Sequence, residues 1–123
     1  MNYPKLPSFR LEGKKALVTG AGRGIGMGAS IALAESGAEV TLVSRTEKEL
    51  KEICDHVNSQ GYKSSYVALD VNDDNEIKKL IENSDPFDIL INNAGTNRPA
   101  KLIDTDISDF DYVMSLNVRS VIN

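Results

Sequence analysis

The residues best suited to chemistry form a glycine-rich segment, TGAGRGIG, at positions 19–26. It follows a short apolar run and precedes a helical pattern. A pyrophosphate needs close approach to backbone N–H groups, which a Cβ would block, and it is stabilised by the positive end of a helix. The segment therefore predicts a nucleotide site in which Gly20, Gly24 and Gly26 bring the backbone to the phosphates. The alternative is a plain glycine-rich turn. No Gly-Lys-Ser/Thr closes the segment, which excludes a P-loop.

Polar residues also follow the next three apolar runs: Ser44-Arg45, Asp70-Val71 and Asn92-Asn93-Ala94-Gly95. In doubly wound sheets ligands bind in the crevice beyond the carboxyl ends of the strands, so we expect these residues around one crevice. Structural roles remain open beside ligand contact. Asn92 and Asn93 can tie their turn to neighbouring backbone, and Asp70 can be a solvated residue or a helix cap.

The elements that position these residues alternate along the chain as βαβαβαβα. Strands are predicted at 16–19, 40–43, 65–69 and 89–91, and the first helix at 25–36. Thr46 with Glu49 and Asp73 with Glu76 form capping-box patterns that begin the next two helices, and Ser108 is the expected cap of the last. Apolar strands that alternate with amphipathic helices predict an α/β fold, a doubly wound Rossmann-type parallel sheet with strand order 3-2-1-4.

Two segments are expected. Residues 1–12 form an N-terminal arm packed by Phe9 and Leu11, and residues 13–123 form a dinucleotide-binding domain that is incomplete at its C-terminus. The fourth strand is strongly apolar, and nothing after it covers its outer edge, which would be an aggregation liability. The chain also ends at Asn123 within a helical pattern. We therefore expect the N-terminal half only of a dinucleotide-binding fold.

Composition limits the function classes. With 14 basic and 18 acidic residues the net charge is −4, which disfavours binding to nucleic acid or to anionic membranes. The sequence has no apolar run of bilayer-spanning length and no signal-peptide core, so the expected location is cytoplasmic. The single cysteine, Cys54, is expected to be buried and His56 to be solvated. Four acids could suggest a metal site: Asp104, Asp106, Asp109 and Asp111. Capping of the last helix is the better interpretation, and no metal is predicted.

These motifs together resemble those of the short-chain dehydrogenase/reductase family. TGAGRGIG is similar to the family's T-G-x-x-x-G-x-G, NNAG at 92–95 is the same in both, Asp70-Val71 ends the third strand, and Asn117 lies at the family's N-(V/I/L) position. The resemblance covers most of the chain from Gly13 onward. It implies an oxidoreductase, a carbonyl reductase or alcohol dehydrogenase, that transfers hydride between a nicotinamide and a keto or hydroxy substrate. The expected cofactor-binding residues are Gly20, Arg23, Gly24, Ile25, Gly26, Ser44, Arg45, Asp70, Val71, Asn93, Ala94 and Gly95.

The choice between NADP and NAD depends on the end of the second strand. An NAD site presents an acid there to hold the ribose 2′-OH. Ser44 occupies that place and Arg45 follows it, while Arg23 adds a second positive charge from the glycine segment. A carboxylate would repel a 2′-phosphate and these residues would attract one, so NADP is favoured over NAD. The alternative is that both arginines are solvated surface residues.

Catalysis is only partly represented in the sequence. In the family a Tyr, a Lys four residues later and an upstream Ser perform the proton transfer, and no Tyr-x-x-x-Lys occurs among these 123 residues. By the resemblance, Asn117 is the one catalytic residue present: it kinks its helix, and its carbonyl positions a water in the proton relay. Its alternative role is helix packing. Two classes stay open, the cofactor-binding portion of an enzyme and a non-catalytic nucleotide-binding half-fold.

The expected partners are a small carbonyl or alcohol substrate and, in the complete protein, further copies of itself. The segment after the fourth strand, residues 96–99, lines the cleft in relatives. Arg98 there could meet an anionic substrate such as a sugar acid, or it could point to solvent. This segment makes the resemblance slightly closer to sugar-acid dehydrogenases, of the gluconate type, than to 3-oxoacyl-carrier-protein reductases.

Overall fold

The computed structural model describes all residues from Met1 to Asn123. Its centre is a four-stranded parallel sheet. The strands are β1 (Lys15–Thr19), β2 (Glu39–Ser44), β3 (Lys63–Ala68) and β4 (Ile89–Ile91). Their order in the sheet is β3-β2-β1-β4, as predicted. Ala16 of β1 lies opposite Val40 on one side and Ile89 on the other, which places β1 between β2 and β4.

Helices connect the strands and follow the last one. They are α1 (Gly24–Glu35), α2 (Glu47–Ser59), α3 (Asp74–Glu82) and α4 (Ile107–Met114), with a 3₁₀ turn at Leu102–Asp104. Helix α4 continues through a π-helical turn, Ser115–Arg119, into a last short helix, α5 (Ser120–Ile122). None of the helices combines the length and the apolar character that crossing a bilayer requires.

Two of the three predicted caps are wrong. The Asp73 carboxylate does cap α3, accepting hydrogen bonds from the N–H groups of Asn75 and Glu76. Thr46 begins α2 but makes no side-chain cap, and its own N–H donates instead to Ser44 Oγ at 3.3 Å. That bond leaves no donor for Glu49, so the capping box does not form. Asp106, not Ser108, caps α4, because its carboxylate lies 3.0 Å from the Ser108 N–H.

The third strand differs from the prediction at both ends. It begins at Lys63 rather than at Ser65 and ends at Ala68 rather than at Leu69. Pairing decides its length, since β2 pairs with it from Glu39 opposite Lys63 to Ser44 opposite Ala68. The polar residues that open the strand gave no apolar signal.

The two faces of the sheet bury separate cores. Alternate strand residues such as Val18 and Leu42 pack on one face under α1 and α2, whereas Leu17 and Val43 pack on the other with Leu116 of the π-helical turn. Because the side chains of a strand point alternately to opposite faces, both faces of a central strand can be buried. This arrangement holds the ends of the strands, and so the crevice beyond them, in a fixed position.

Cys54 is buried in the first core, as expected, and His56 is exposed. Burial raises the pKa of the Cys54 thiol, a change that a hydrogen bond with Ser64 partly opposes. A neutral, buried thiol of this kind behaves as a small apolar residue.

The N-terminal segment packs less than predicted. Leu11 packs against the first core and its N–H donates to the Ser36 carbonyl at 2.7 Å. Phe9 was expected to pack as well, but it is 92% exposed. Residues 1–10 are exposed and form neither helix nor strand.

Candidate functional site

A cavity of about 370 Å³ lies at the carboxyl ends of the four parallel strands. Residues one or two positions beyond the end of each strand line it: Gly20 after β1, Arg45 after β2, Leu69 after β3 and Asn93 after β4. The volume is within the usual range for ligand pockets, roughly 300–1,000 Å³. The location is the one where open parallel sheets bind ligands.

Most of the predicted cofactor-binding residues meet in this cavity. Ten of the twelve line it: Gly20, Arg23, Ile25, Ser44, Arg45, Asp70, Val71, Asn93, Ala94 and Gly95. Gly24 and Gly26 do not, and both lie in the first turn of α1 beside it.

Three glycines, one that lines the cavity and two beside it, shape the glycine-rich segment. Gly24 has φ +57°, a conformation that costs other residues energy. A Cβ on Gly26 would collide with the carbonyl oxygen of Gly20, so only glycine permits this packing of α1 against the end of β1. Gly20 has φ +63°, and a Cβ there would lie 2.8 Å from Ala94 Cα. The segment is therefore a cradle with bare backbone at the start of a helix, which fits a pyrophosphate.

One side of the cavity, residues 93–95 after β4, is here called the β4 rim. The Asn93 side-chain amide donates to the Gly20 carbonyl at 3.0 Å. The buried hydroxyl of Thr19 accepts hydrogen bonds from the N–H groups of Asn93 and Ala94, each at 3.1 Å. Neutral hydrogen bonds thus lock the β4 rim to the glycine segment. Of the two open roles for Asn93, the structure shows the backbone tie.

The opposite side, here called the β2 rim, consists of Ser44, Arg45 and Glu49 together with Arg23, and it carries charge. Arg23 and Arg45 are exposed, and neither they nor Glu49 belong to an ion pair. Arg45 Nη1 donates to the Tyr112 hydroxyl at 3.2 Å. No acid occupies the end of β2. The rim therefore presents two guanidinium groups and one carboxylate to a ligand.

Asp70 closes the cavity beyond β3. Its Oδ1 accepts a hydrogen bond from the Asn72 N–H at 2.9 Å, which forms a tight turn before α3. Asp73, not Asp70, caps that helix, so the capping alternative for Asp70 is wrong. Asp70 and the neighbouring Val71 line the cavity together.

Asn117 lies in the π-helical turn and outside the cavity lining. Its side chain holds the backbone of Thr96: Oδ1 accepts from the Thr96 N–H and Nδ2 donates to the Thr96 carbonyl, both at 2.8 Å. The helix does not continue regularly through Asn117, because the wider π-helical turn changes the spacing of residues after Met114. Asn117 therefore fixes the segment that leaves the β4 rim.

An ion pair anchors this turn from the other end. Arg119 donates two hydrogen bonds to the carboxylate of Asp74, at 3.1 and 2.6 Å. The hydrogen bond from Arg119 holds the pKa of Asp74 below its ordinary value. The start of α3 and the π-helical turn are thereby joined beside the cavity.

Arg98 is not free to meet a substrate in this structure. Its guanidinium pairs with Asp109 and lies 4.0 Å from the ring centre of Tyr112. Two of the four acids that could suggest a metal site have other roles, since Asp106 caps α4 and Asp109 pairs with Arg98. No group of three or more His, Cys, Asp or Glu side chains is arranged to hold a metal ion.

Sequence reasoning missed several residues of the site. Thr46, Glu49, Leu69 and Leu116 also line the cavity, and Thr19 connects its two sides. Thr19 belongs to the TGAGRGIG motif, and its hydroxyl type at the end of a buried strand was an available signal. Glu49 fits a capping-box pattern in the sequence, and this pattern gives no indication of its position at the cavity.

Comparison with known proteins decides the family. The model of the family described as short chain dehydrogenase matches residues 14–123. The chain belongs to this family. It is 40% identical to gluconate 5-dehydrogenase of Gluconobacter oxydans (strain 621H) over 98% of its own length and 48% of that protein. It is 39% identical to 7alpha-hydroxysteroid dehydrogenase of Paraclostridium sordellii over 91% of its length and 45% of that protein.

Solved structures of the short chain dehydrogenase family superpose closely. A gluconate 5-dehydrogenase from Burkholderia cenocepacia J2315, in complex with NADP and tartrate, has a TM-score of 0.83 at 33% identity and covers 94% of this chain and 47% of its own. L-Sorbose reductase from Gluconobacter frateurii, complexed with NADPH and L-sorbose, has a TM-score of 0.83 at 27% identity, over 92% of this chain and 45% of its own. The chain thus spans about half the length of the relatives it matches.

Proposed function

We propose that the chain forms the cofactor-binding part of an NADP-dependent oxidoreductase. The observation that carries the proposal is the cavity at the carboxyl ends of the strands, which joins a bare glycine cradle to a rim with two arginines. When bound, the reduced nicotinamide would give hydride to a keto substrate, and the oxidised nicotinamide would take hydride from a hydroxy substrate. Two related structures contain NADP or NADPH, which supports the same class of cofactor here.

The residues of the cavity would divide the cofactor between them. The backbone of residues 20–26 would meet the pyrophosphate at the positive end of α1. Asp70 and Val71 would border the adenine, where a carboxylate accepts well from the amino group. Asn93, Ala94 and Gly95 would carry the other end of the cofactor toward the substrate.

The β2 rim favours NADP over NAD. A 2′-phosphate would find the hydroxyl of Ser44 and the guanidinium groups of Arg23 and Arg45. Guanidinium groups bind phosphate with short, charge-assisted hydrogen bonds. Arg45 would exchange its bond to the Tyr112 hydroxyl, which is neutral, for the stronger one to phosphate.

A sugar acid or a related polyhydroxy compound is the substrate class we favour. Gluconate 5-dehydrogenase and 2-dehydro-3-deoxy-D-gluconate 5-dehydrogenase are among the relatives, at 40% and 35% identity. A 3-oxoacyl thioester is the second candidate. Arg98 supports neither choice, because Asp109 already neutralises it.

Asn117 would act through position rather than through its side chain. Both polar atoms of that side chain are occupied by Thr96, which leaves the backbone of the π-helical turn as its available group. A carbonyl there could hold a water for proton transfer, as the family resemblance implies. We further propose that the complete protein is a homo-oligomer and that its substrate is a small molecule.

Cofactor binding is the direct test. Titration of the purified protein with NADPH and with NADH should give a dissociation constant several-fold lower for NADPH. Equal constants would remove the preference, and absence of binding by both would overturn the proposal.

Turnover separates the enzyme from a non-catalytic binding module. NADPH oxidation should be measured with sugar keto-acids and with β-ketoacyl esters, on the 123-residue chain and on the full-length protein. We expect turnover by the full-length protein only, since the 123 residues contain no Tyr-x-x-x-Lys. Binding without turnover by the full-length protein would favour the non-catalytic module.

A further inference from the structure

The side chain of Glu49 occupies a place that its predicted role does not explain. It is the third residue of α2, where a capping box would turn it back toward Thr46. The Thr46 N–H is instead bonded to Ser44 Oγ. Glu49 is half-buried, lines the cavity and has no ion-pair partner.

The carboxylate of Glu49 lies against the glycine segment. A Cβ built on Gly22 would be 2.6 Å from Glu49 Oε2 and 3.1 Å from Ser44 Oγ. Gly22 is buried, and the lack of a side chain there makes room for the carboxylate. The hydroxyl at the end of β2, the backbone of Gly22 and the carboxylate of Glu49 therefore meet at one point of the β2 rim.

That point is chemically the counterpart of an acid at the end of β2. In dinucleotide sites such an acid accepts a hydrogen bond from the ribose 2′-OH. A carboxylate is acceptor-only when ionised, so it favours a hydroxyl and repels a phosphate. Here β2 ends in Ser44, and a carboxylate from the next helix, that of Glu49, lies beside the same glycine as the Ser44 hydroxyl.

We propose that Glu49 is a specificity-determining residue of the cofactor site, which favours a 2′-hydroxyl and weakens binding of a 2′-phosphate. This inference rests on the proposed function of the cavity. Arg23 and Arg45 attract the phosphate from the same rim, and Glu49 opposes them. The site consequently accepts both cofactors, with a preference for NADPH that is smaller than its two arginines alone would give.

The test compares the Glu49→Gln variant with the unsubstituted protein, here called the parent, by isothermal titration calorimetry with NADPH and with NADH. Gln keeps the shape of the side chain and removes its charge. We expect the dissociation constant for NADPH to fall about three- to tenfold in low salt and the constant for NADH to stay equal or rise. The gain for NADPH should shrink at high ionic strength, since salt screens a repulsion between partly exposed charges.

Glu47→Gln is the matched control. Glu47 lies in the same first turn of α2 and is exposed, but it does not line the cavity. The control therefore makes the same change in net charge and in helix-dipole interaction. Glu49→Lys should raise the ratio of the NADPH affinity to the NADH affinity further than Glu49→Gln does. Circular dichroism checks that each variant is folded.

The outcomes separate the two proposals. In one outcome the parent binds both cofactors, while Glu49→Gln and Glu49→Lys keep its ratio of NADPH to NADH affinity within twofold, or change it no more than Glu47→Gln does. Either result refutes the role of Glu49 and leaves the proposed function standing. If the parent binds neither cofactor, the proposed function fails and the inference fails with it.

Discussion

The two sides of the cavity are built by different physical means. The β4 rim is held by neutral hydrogen bonds that join Asn93 and Ala94 to the end of β1, over separations of more than 70 residues. The β2 rim carries two guanidinium groups and a carboxylate without ion-pair partners. Substitutions on the first side should therefore alter the shape of the site for any ligand. Substitutions on the second should alter only which ligand is preferred.

The largest effect is expected where the glycine segment meets the β4 rim. Gly26→Ala would place a Cβ against the Gly20 carbonyl and 2.5 Å from Asn93 Nδ2. Overpacking against backbone should lower the free energy of unfolding by about 3 kcal/mol and remove binding of NADPH and NADH alike. Urea denaturation and titration measure the two effects.

Gly28→Ala is the control for this substitution. It lies in the same helix, and nothing is within 4 Å of the added Cβ. Alanine has the higher helix propensity, so the chain should be unchanged or up to about 1 kcal/mol more stable. Equal losses for the two variants would contradict the role given to Gly26.

A smaller loss is expected for Asn93→Ala. The substitution removes the hydrogen bond to the Gly20 carbonyl, and a lost bond of this kind costs about 1–2 kcal/mol. Both cofactors should bind more weakly by a similar factor, because the shape of the cradle changes. Asn92→Ala is the comparison, since Asn92 is exposed and its side chain makes no hydrogen bond. A change in the ratio of the NADPH affinity to the NADH affinity would contradict the distinction between the β4 rim and the β2 rim.

Arg45→Ala should change preference and leave stability nearly untouched. Loss of one charge-assisted hydrogen bond to phosphate should weaken NADPH about tenfold and NADH less than twofold. The free energy of unfolding should stay within about 0.5 kcal/mol of the parent, as for most surface substitutions. Ser44→Asp should also lower the ratio of the NADPH affinity to the NADH affinity. If both variants keep the preference for NADPH, the β2 rim does not determine that preference.

The smallest effect is expected for Tyr112→Phe. It removes the hydroxyl that accepts from Arg45 and keeps the ring beneath Arg98. Arg45 is then free for phosphate, and the affinity for NADPH should rise about twofold, in line with the small net value of an exposed hydrogen bond. A fall in affinity would mean that the hydroxyl holds Arg45 in its binding position.

Local patterns predicted the fold well for identifiable reasons. Strands such as residues 16–18 and 89–91 are short apolar runs between turn residues, and α2 has an apolar stripe at helical spacing. Parallel strands and right-handed crossovers then leave few topologies, so the strand order 3-2-1-4 was accessible. The placement of ten cavity residues followed, because strand ends meet at one edge.

Interactions between distant elements were not accessible in this way. The bond between Arg45 and Tyr112 joins residues 67 apart, and nothing near either residue indicates it. The π-helical turn at Asn117 likewise makes its contacts with distant residues, since Arg119 pairs with Asp74 and Asn117 holds Thr96. Glu49 has the residue type and spacing of a capping box, and only the bond from the Thr46 N–H to Ser44 Oγ shows that this box does not form.

The Thr19 hydroxyl also determines when the site can exist during synthesis. Strand β1 and the glycine segment leave the ribosome first, but the N–H groups that donate hydrogen bonds to this hydroxyl belong to residues 93 and 94. Contacts so distant along the chain form late, after the entropy of closing the intervening loop has been overcome. A nascent chain that ends before residue 93 therefore has the glycine segment without the N–H groups that bond to the Thr19 hydroxyl. The cradle acquires its final shape only when the fourth strand has emerged and paired with the first.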